Sequence, residues 1–225
     1  MLITQDSNER LRHLAKAYYI AKGALIREGY AVEMDWQYEV SLQKLDEQVF
    51  LREAAWVILS SGMRETVIRG LFADISQAFF NWESSKQIAM HADHCKTDAI
   101  RHFNHQGKIG AIIKVATHVY QQGFSYVAES VRQGGVEYLQ QLPYLGPATS
   151  CHLAKNIGLP VAKPDRHLLR LVDKLGFSSA QHLCLAIADI TDDPIPVIDL
   201  VLWRYSTRYS HKINQFAANL MTKVH

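Results

Sequence analysis

The residues best suited to chemistry lie close together in one stretch of the chain. Leu142-Pro143-Tyr144-Leu145-Gly146-Pro147-Ala148-Thr149 is followed, sixteen residues after Thr149, by Asp165 within Pro164-Asp165-Arg166-His167-Leu168-Leu169-Arg170. Leu139 and Leu142 share one face of a short helix that Pro143 stops. Gly146 permits a tight hairpin, and a second amphipathic helix runs from Pro147 to Asn156 before Gly158. Such a hairpin exposes backbone N–H groups at the start of its second helix, where the helix dipole also favours an anion. A phosphate can be held there without any base-specific contact. Asp165 precedes a helical run and is first of all an N-cap for the amides of that first turn. A carboxylate so placed can also stabilise positive charge developing nearby and orient a water.

These residues resemble the helix-hairpin-helix base-excision DNA glycosylases related to endonuclease III. That family's hairpin has the pattern L-P-x-x-G-x-x-T-A, matched here by Leu142, Pro143, Gly146 and Thr149. Its essential aspartate lies in a V-D-T-H-x-x-R-like stretch, where Asp165, His167 and Arg170 fall. Leu175-Gly176 closes the next helix as in relatives, and Phe50-Leu51-Arg52-Glu53-Ala54-Ala55-Trp56-Val57-Ile58-Leu59-Ser60-Ser61 looks like the first core helix, so the resemblance covers roughly residues 48 to 176.

The resemblance implies an all-α, two-lobed helix-hairpin-helix DNA glycosylase fold. One lobe is a helical barrel of residues 48–158 carrying the hairpin, and the other joins residues 1–47 to 159–225. Asp165 is then expected at the mouth of a cleft able to enclose a flipped nucleotide. The implied partner is double-stranded DNA containing a damaged or modified base, bound by a monomer. The implied reaction is hydrolysis of the N-glycosidic bond, with Asp165 supporting the oxocarbenium-like sugar. Leu142, Pro143, Tyr144, Leu145, Gly146 and Thr149 are expected to hold phosphates, and Lys155, Lys163, Arg166 and Arg170 to add counter-charge. Carbonyls of the hairpin could hold a monovalent cation that bridges to a phosphate; no cofactor is required.

Two departures from the family pattern narrow the expectation. Members that cut the strand by β-elimination carry a lysine two residues after the hairpin glycine, and Ala148 stands there. A monofunctional enzyme is therefore expected; a bifunctional glycosylase/AP lyase would need a lysine from elsewhere, such as Lys155 or Lys163. Several relatives hold a [4Fe–4S] cluster with four closely spaced cysteines, whereas Cys95, Cys151 and Cys184 are three and far apart, so no cluster is expected. The alternative from another class is a non-catalytic helix-hairpin-helix DNA-binding protein.

Among aromatics that could stack on an extruded base, Trp56 and Trp203 lie in apolar helical runs and read as core, whereas Trp36 lies among Glu33, Asp35 and Glu39 and is the pocket candidate. Glu53 could read the polar edge of the base. In relatives the end of the first core helix fills the gap left by the flipped base; here that place is Ser61-Gly62-Met63-Arg64, which makes Met63 or Arg64 the wedge. His91, His94, Cys95, His102 and His105 form a dense cluster, but helices over 84–91 and 96–103 would point these side chains apart. They read as solvent-facing histidines, and no metal is expected.

With 225 residues, 48% hydrophobic and 20% charged, the chain can bury a substantial core in one unit or two intimate lobes. No apolar run approaches a membrane span, and Met1-Leu2-Ile3-Thr4-Gln5-Asp6 lacks the features of a signal peptide, so a cytoplasmic, nucleoid-associated location is expected. The net charge of +2 is unevenly spread: residues 101–175 hold nine Lys/Arg against four acids, or +5, leaving −3 for the remainder. Basic charge thus coincides with the hairpin and Asp165.

Helical periodicity dominates throughout. Helices are expected over 7–27, 46–61, 64–80, 84–91, 96–103, 108–121, 124–132, 147–156, 166–175, 179–188, 195–205 and 208–222, besides the short one ending at Pro143, with residues 33–41 as a connection.

Overall fold

A computed structural model of the chain describes residues 5–209, without the side chains of residues 5–8 and 10. Every regular element among the described residues is helical, and the protein is all-α. The helices are α1 (Gln5–Arg27), α2 (Ala31–Glu39), α3 (Glu47–Ser60), α4 (Glu65–Ala78), α5 (Ser85–Met90), α6 (Ala92–His102), α7 (Gln106–Gln122), α8 (Phe124–Leu139), α9 (Pro147–Asn156), α10 (Arg166–Leu175), α11 (Ala180–Thr191) and α12 (Ile195–Arg208). The expected helix over 208–222 lies almost wholly outside the described residues.

The chain divides into two compact units, Met1–Val40 with Pro160–His225, and Ser41–Leu159. The first junction falls at Val40/Ser41 rather than at the expected 47/48. Gly158, at φ +96°, brings its α-carbon so close to Ser41 and Leu42 that a Cβ there would sit 2.4 Å from the Leu42 nitrogen. The segment before α3 is thereby packed against the end of α9 and belongs with it.

In the unit of residues 41–159, α3 is the central helix. Phe50, Leu51, Ala54, Ala55, Val57, Ile58 and Leu59 are all buried, so it is apolar on most sides, as a helix enclosed by others must be. Each large side chain of this set contributes about 1.5–3 kcal/mol through burial. Helices α4, α7 and α9 pack around it. Trp82 stacks on Phe79 at 4.9 Å and donates from Nε1 to Ser76 Oγ at 2.9 Å. Within α8 the backbone breaks at Gly135 (φ 49°, ψ −129°), a conformation that essentially only glycine tolerates. The short helix expected up to Pro143 is the part of α8 after this break, and it ends at Leu139, with Leu142 in the turn that follows.

In the unit of residues 1–40 and 160–225, α1 packs on α11 and α12, and α10 packs on both of the latter. Tyr18, Leu25, Leu168, Leu171, Ile187 and Val201 are fully buried in its core. Asp193, between α11 and α12, accepts from Tyr18 OH (2.5 Å), from Lys22 Nζ (2.6 and 2.9 Å) and from Tyr38 OH. Residues 33–39, expected as a connection, are helical. Only Met34 and Gln37 of α2 are buried, and its three acids mask the short apolar stripe. Packing on α12 decides the matter, with Arg204 Nη2 donating to both oxygens of Glu33 at 2.8 and 2.7 Å.

Candidate functional site

The hairpin region is built from the end of α8, a turn and the start of α9. Leu145 N donates to Leu142 O at 3.2 Å, with Pro143 second in the turn and Tyr144 third at φ +70°. This is the pattern of a type II turn, whose third position normally takes glycine. The left-handed residue is thus Tyr144 and not, as the sequence suggested, the glycine. Gly146 is in ordinary extended geometry (φ −80°, ψ −176°) and caps α9, with Pro147 in the first turn. The first helical bond of α9 runs from Ser150 N to Gly146 O at 2.8 Å, so the amides of Ala148 and Thr149 lie ahead of it. Leu142 and Leu145 are buried at 4% and 3% exposure. They pin the turn to the core and leave Tyr144 and Gly146 exposed. The Thr149 hydroxyl donates to Gly146 O (3.1 Å) and lies 3.4 Å from Tyr144 O, and Ser150 Oγ donates to Gly146 O at 2.9 Å.

Lys108 was not singled out in the sequence. It is 2% exposed, and its Nζ donates to Leu59 O and Ser61 O, both at 2.6 Å. These carbonyls end α3, where helical acceptors lack partners and a cation is favoured. The same Nζ lies 6.0 Å from the ring centres of Phe103 and Tyr144. Burial pulls the ammonium below the usual lysine range. Next to it, His105 Nδ1 accepts from Lys108 N at 3.3 Å as the cap of α7, while its ring stacks on Phe103 and meets Tyr144 edge-on at 6.4 Å. The Ser61–Arg64 turn and the tip of the hairpin therefore converge on Lys108. A signal did exist: Lys108, Ile112, Val115 and Val119 recur at helical spacing, which places the lysine on the apolar face of α7. Met63 and Arg64 are exposed at the end of that turn.

Glu53 is 7% exposed. Its Oε1 accepts from Arg52 Nε and Nη2 at 3.2 and 3.0 Å, and its Oε2 from Asn156 Nδ2 at 2.9 Å. Both oxygens are engaged inside the unit, tying α3 to α9. Burial pushes the carboxyl above the usual carboxylate range, against the pull of Arg52 and Asn156. Lys155 is 6% exposed and so is packed inside the unit rather than presented as the expected surface counter-charge. In the histidine cluster, His91 Nδ1 is 2.9 Å from Gln87 O, the rings of His91 and His94 both lie against Phe80, and His102 is 3.9 Å from Asp74. Cys95 is fully buried, which pushes its thiol up to about 11. No three side chains able to ligate a metal converge among the described residues. Nor is any described helix long and apolar enough to cross a membrane.

In the other unit, α10 fixes Asp165. Leu168, Leu171, Val172 and Leu175 form its buried stripe, and Asp165 stands at its N-cap. Oδ1 accepts from His167 N (2.8 Å) and Leu168 N (3.0 Å), so the cap uses one carboxylate oxygen and leaves Oδ2 outside it. The residue is half-buried. Arg166 and Arg170 are exposed, one turn apart, and Lys163 is half-buried with its amide donating to Asp199 Oδ1 at 2.8 Å. Burial pulls the His167 imidazole below the ordinary histidine value; Asp165 opposes this, whereas Arg166, Arg170 and Lys163 add to it. Trp36 sits half-buried on α2. No protein-family model matches the chain, and no curated protein is significantly similar to it in sequence.

Proposed function

We propose that the protein is a monofunctional DNA glycosylase of the two-lobed helix-hairpin-helix kind, which removes a damaged or modified base from double-stranded DNA and leaves an abasic site. The observation that carries this reading is the divided use of the Asp165 carboxylate: Oδ1 is spent on the α10 cap and Oδ2 is left for a substrate. Its support is the hairpin, which exposes Gly146 and Pro147 at the start of α9 and leaves Ala148 and Thr149 half-buried beside them.

In the proposed mechanism the hairpin amides hold a backbone phosphate while the target nucleotide is extruded. The bond from C1′ to the base breaks, and its electron pair leaves with the base. Asp165 stabilises the positive charge that develops on the sugar and orients the water that adds to C1′, and the proton this water loses neutralises the departed base. Arg166 and Arg170 supply counter-charge to the strand. With Ala148 two residues after Gly146, no hairpin amine is present to form a Schiff base, which favours hydrolysis over strand cleavage. A monovalent cation at the hairpin would share the carbonyls of Tyr144 and Gly146 with the Thr149 hydroxyl.

The test is a panel of duplexes, each with one oxidised purine, alkylated purine, mispaired pyrimidine or bulky modified base. Alkali-labile sites are expected on at least one of them, and Asp165→Asn should abolish them while duplex binding remains. Salt-sensitive binding with no base release from any duplex would instead identify a non-catalytic DNA-binding protein. A borohydride-trapped adduct would identify a lyase.

A further inference from the structure

We propose that Lys108 is a positioning residue: its buried ammonium locks the Ser61–Arg64 turn against the hairpin tip, so that Met63 or Arg64 can fill the gap left by an extruded base. This rests on the glycosylase reading above. A buried ammonium is costly to hold unless its donors are met, and two of its three donors go to the last carbonyls of α3, Leu59 O and Ser61 O. The carbonyl of Ser61 directly precedes Gly62 and Met63, and Met63 N donates back to Ser60 O at 3.0 Å. The turn is therefore held at its α3 end, by the bond from Met63 N to Ser60 O and by Lys108. On its other side the ammonium faces the rings of Tyr144 and Phe103, each at 6.0 Å. A single side chain thus links the end of α3, the start of α7 and the residue at the tip of the hairpin.

A wedge must stand at a fixed distance from the phosphate grip, because an ångström of misplacement at a reacting geometry is enough to lose most of the rate. Any apolar residue at position 108 would leave Leu59 O and Ser61 O without their donor and the turn free to shift. Lys108→Met keeps the length of the side chain and removes only its charge and donors.

The experiment uses the full chain and a cleavable duplex with 2-aminopurine beside the target base, whose fluorescence rises when the neighbouring base is extruded. Lys108→Met is expected to bind undamaged duplex within about twofold of the native protein and to lose about tenfold or more in single-turnover base release, with a matching loss of the fluorescence rise. Combined with Met63→Ala and Arg64→Ala, it should add little further loss, because all three act through one turn. Additive losses, or an unchanged fluorescence rise in Lys108→Met, would overturn the proposal. Should Lys108→Met fail to fold, spin labels at Met63→Cys and Gln141→Cys in a Cys151→Ser background give the answer without altering Lys108 or the rings it faces. One narrow distance supports the lock, and a broad distribution refutes it. If the native protein neither extrudes nor releases any base, the glycosylase reading itself has failed; if it does both and Lys108→Met does so equally, only the role of Lys108 has failed.

Discussion

Asp193→Asn removes the charge from a carboxylate that joins α1, α2 and the turn between α11 and α12. The native group accepts from Tyr18, Lys22 and Tyr38, and hydrogen bonds to a charged partner contribute about 1.5–3 kcal/mol each. Asparagine still offers one accepting oxygen, and the Lys22 side chain, 19% exposed, can recover water. The loss should therefore be about 2–3 kcal/mol, below the roughly 3–5 kcal/mol of a fully buried broken pair. Urea unfolding at pH 7 reads this as a midpoint lowered by about 1 M or more at unchanged slope. The pH dependence is a second handle. Burial alone would raise the Asp193 pKa, but the bonds from Lys22, Tyr18 and Tyr38 outweigh it and hold the carboxyl below its usual range. A depressed carboxyl contributes stability that is present above its unfolded pKa and lost as pH falls through the folded one. The gap between native and Asp193→Asn should thus close below about pH 4. A loss under about 0.5 kcal/mol, or a gap that stays constant from neutral to acid pH, would refute the clasp.

Gly158→Ala should be among the most damaging single changes, because it combines a left-handed backbone with a Cβ 2.4 Å from Leu42 N; a loss of about 2–5 kcal/mol in chemical unfolding is expected. Glu53→Gln should be neutral or stabilising at pH 7, since the raised carboxyl carries a burial penalty that is complete above its folded pKa and absent below its unfolded one. Glu53→Ala, which opens a cavity and leaves Asn156 unbonded, should lose about 2 kcal/mol, and equal losses for the two variants would contradict this. Tyr144→Gly should keep or raise stability by up to about 1 kcal/mol, as glycine suits the third turn position. Tyr144→Val, branched at a positive φ, should lower it by about 1–2 kcal/mol, and thermal unfolding of the pair separates the cases.

The elements that carry the candidate site were the easiest to read. Helix α10 announces itself by Asp165 before it, Gly176 after it and an unbroken stripe of Leu168, Leu171, Val172 and Leu175, and α9 does so by Pro147 and Gly158. These signals are local, so one chain suffices to see them. Helix α2 escaped because its buried face is only Met34 and the polar Gln37, and its stability comes from α12, far away in the chain. The left-handed conformation of Tyr144 was invisible for a related reason: the turn rule calls for glycine there, and the buried Leu142 and Leu145 impose the bend on a tyrosine. From sequence alone Lys155 and Glu53 face a ligand, because a charged residue is normally exposed. Burial depends on neighbours that no local pattern reveals. Lys108 is the reverse case, a charge on an apolar face whose meaning emerges only when the end of α3 is placed against it.

The most direct test is the single-turnover rate of free-base release by native protein and by Asp165→Asn, measured on whichever duplex the panel identifies and at saturating protein. Loss of the charge that stabilises the sugar should slow release about 10²- to 10³-fold or more while duplex affinity stays within a few-fold. Release by Asp165→Asn within tenfold of the native rate would contradict the assignment of the chemistry to this carboxylate.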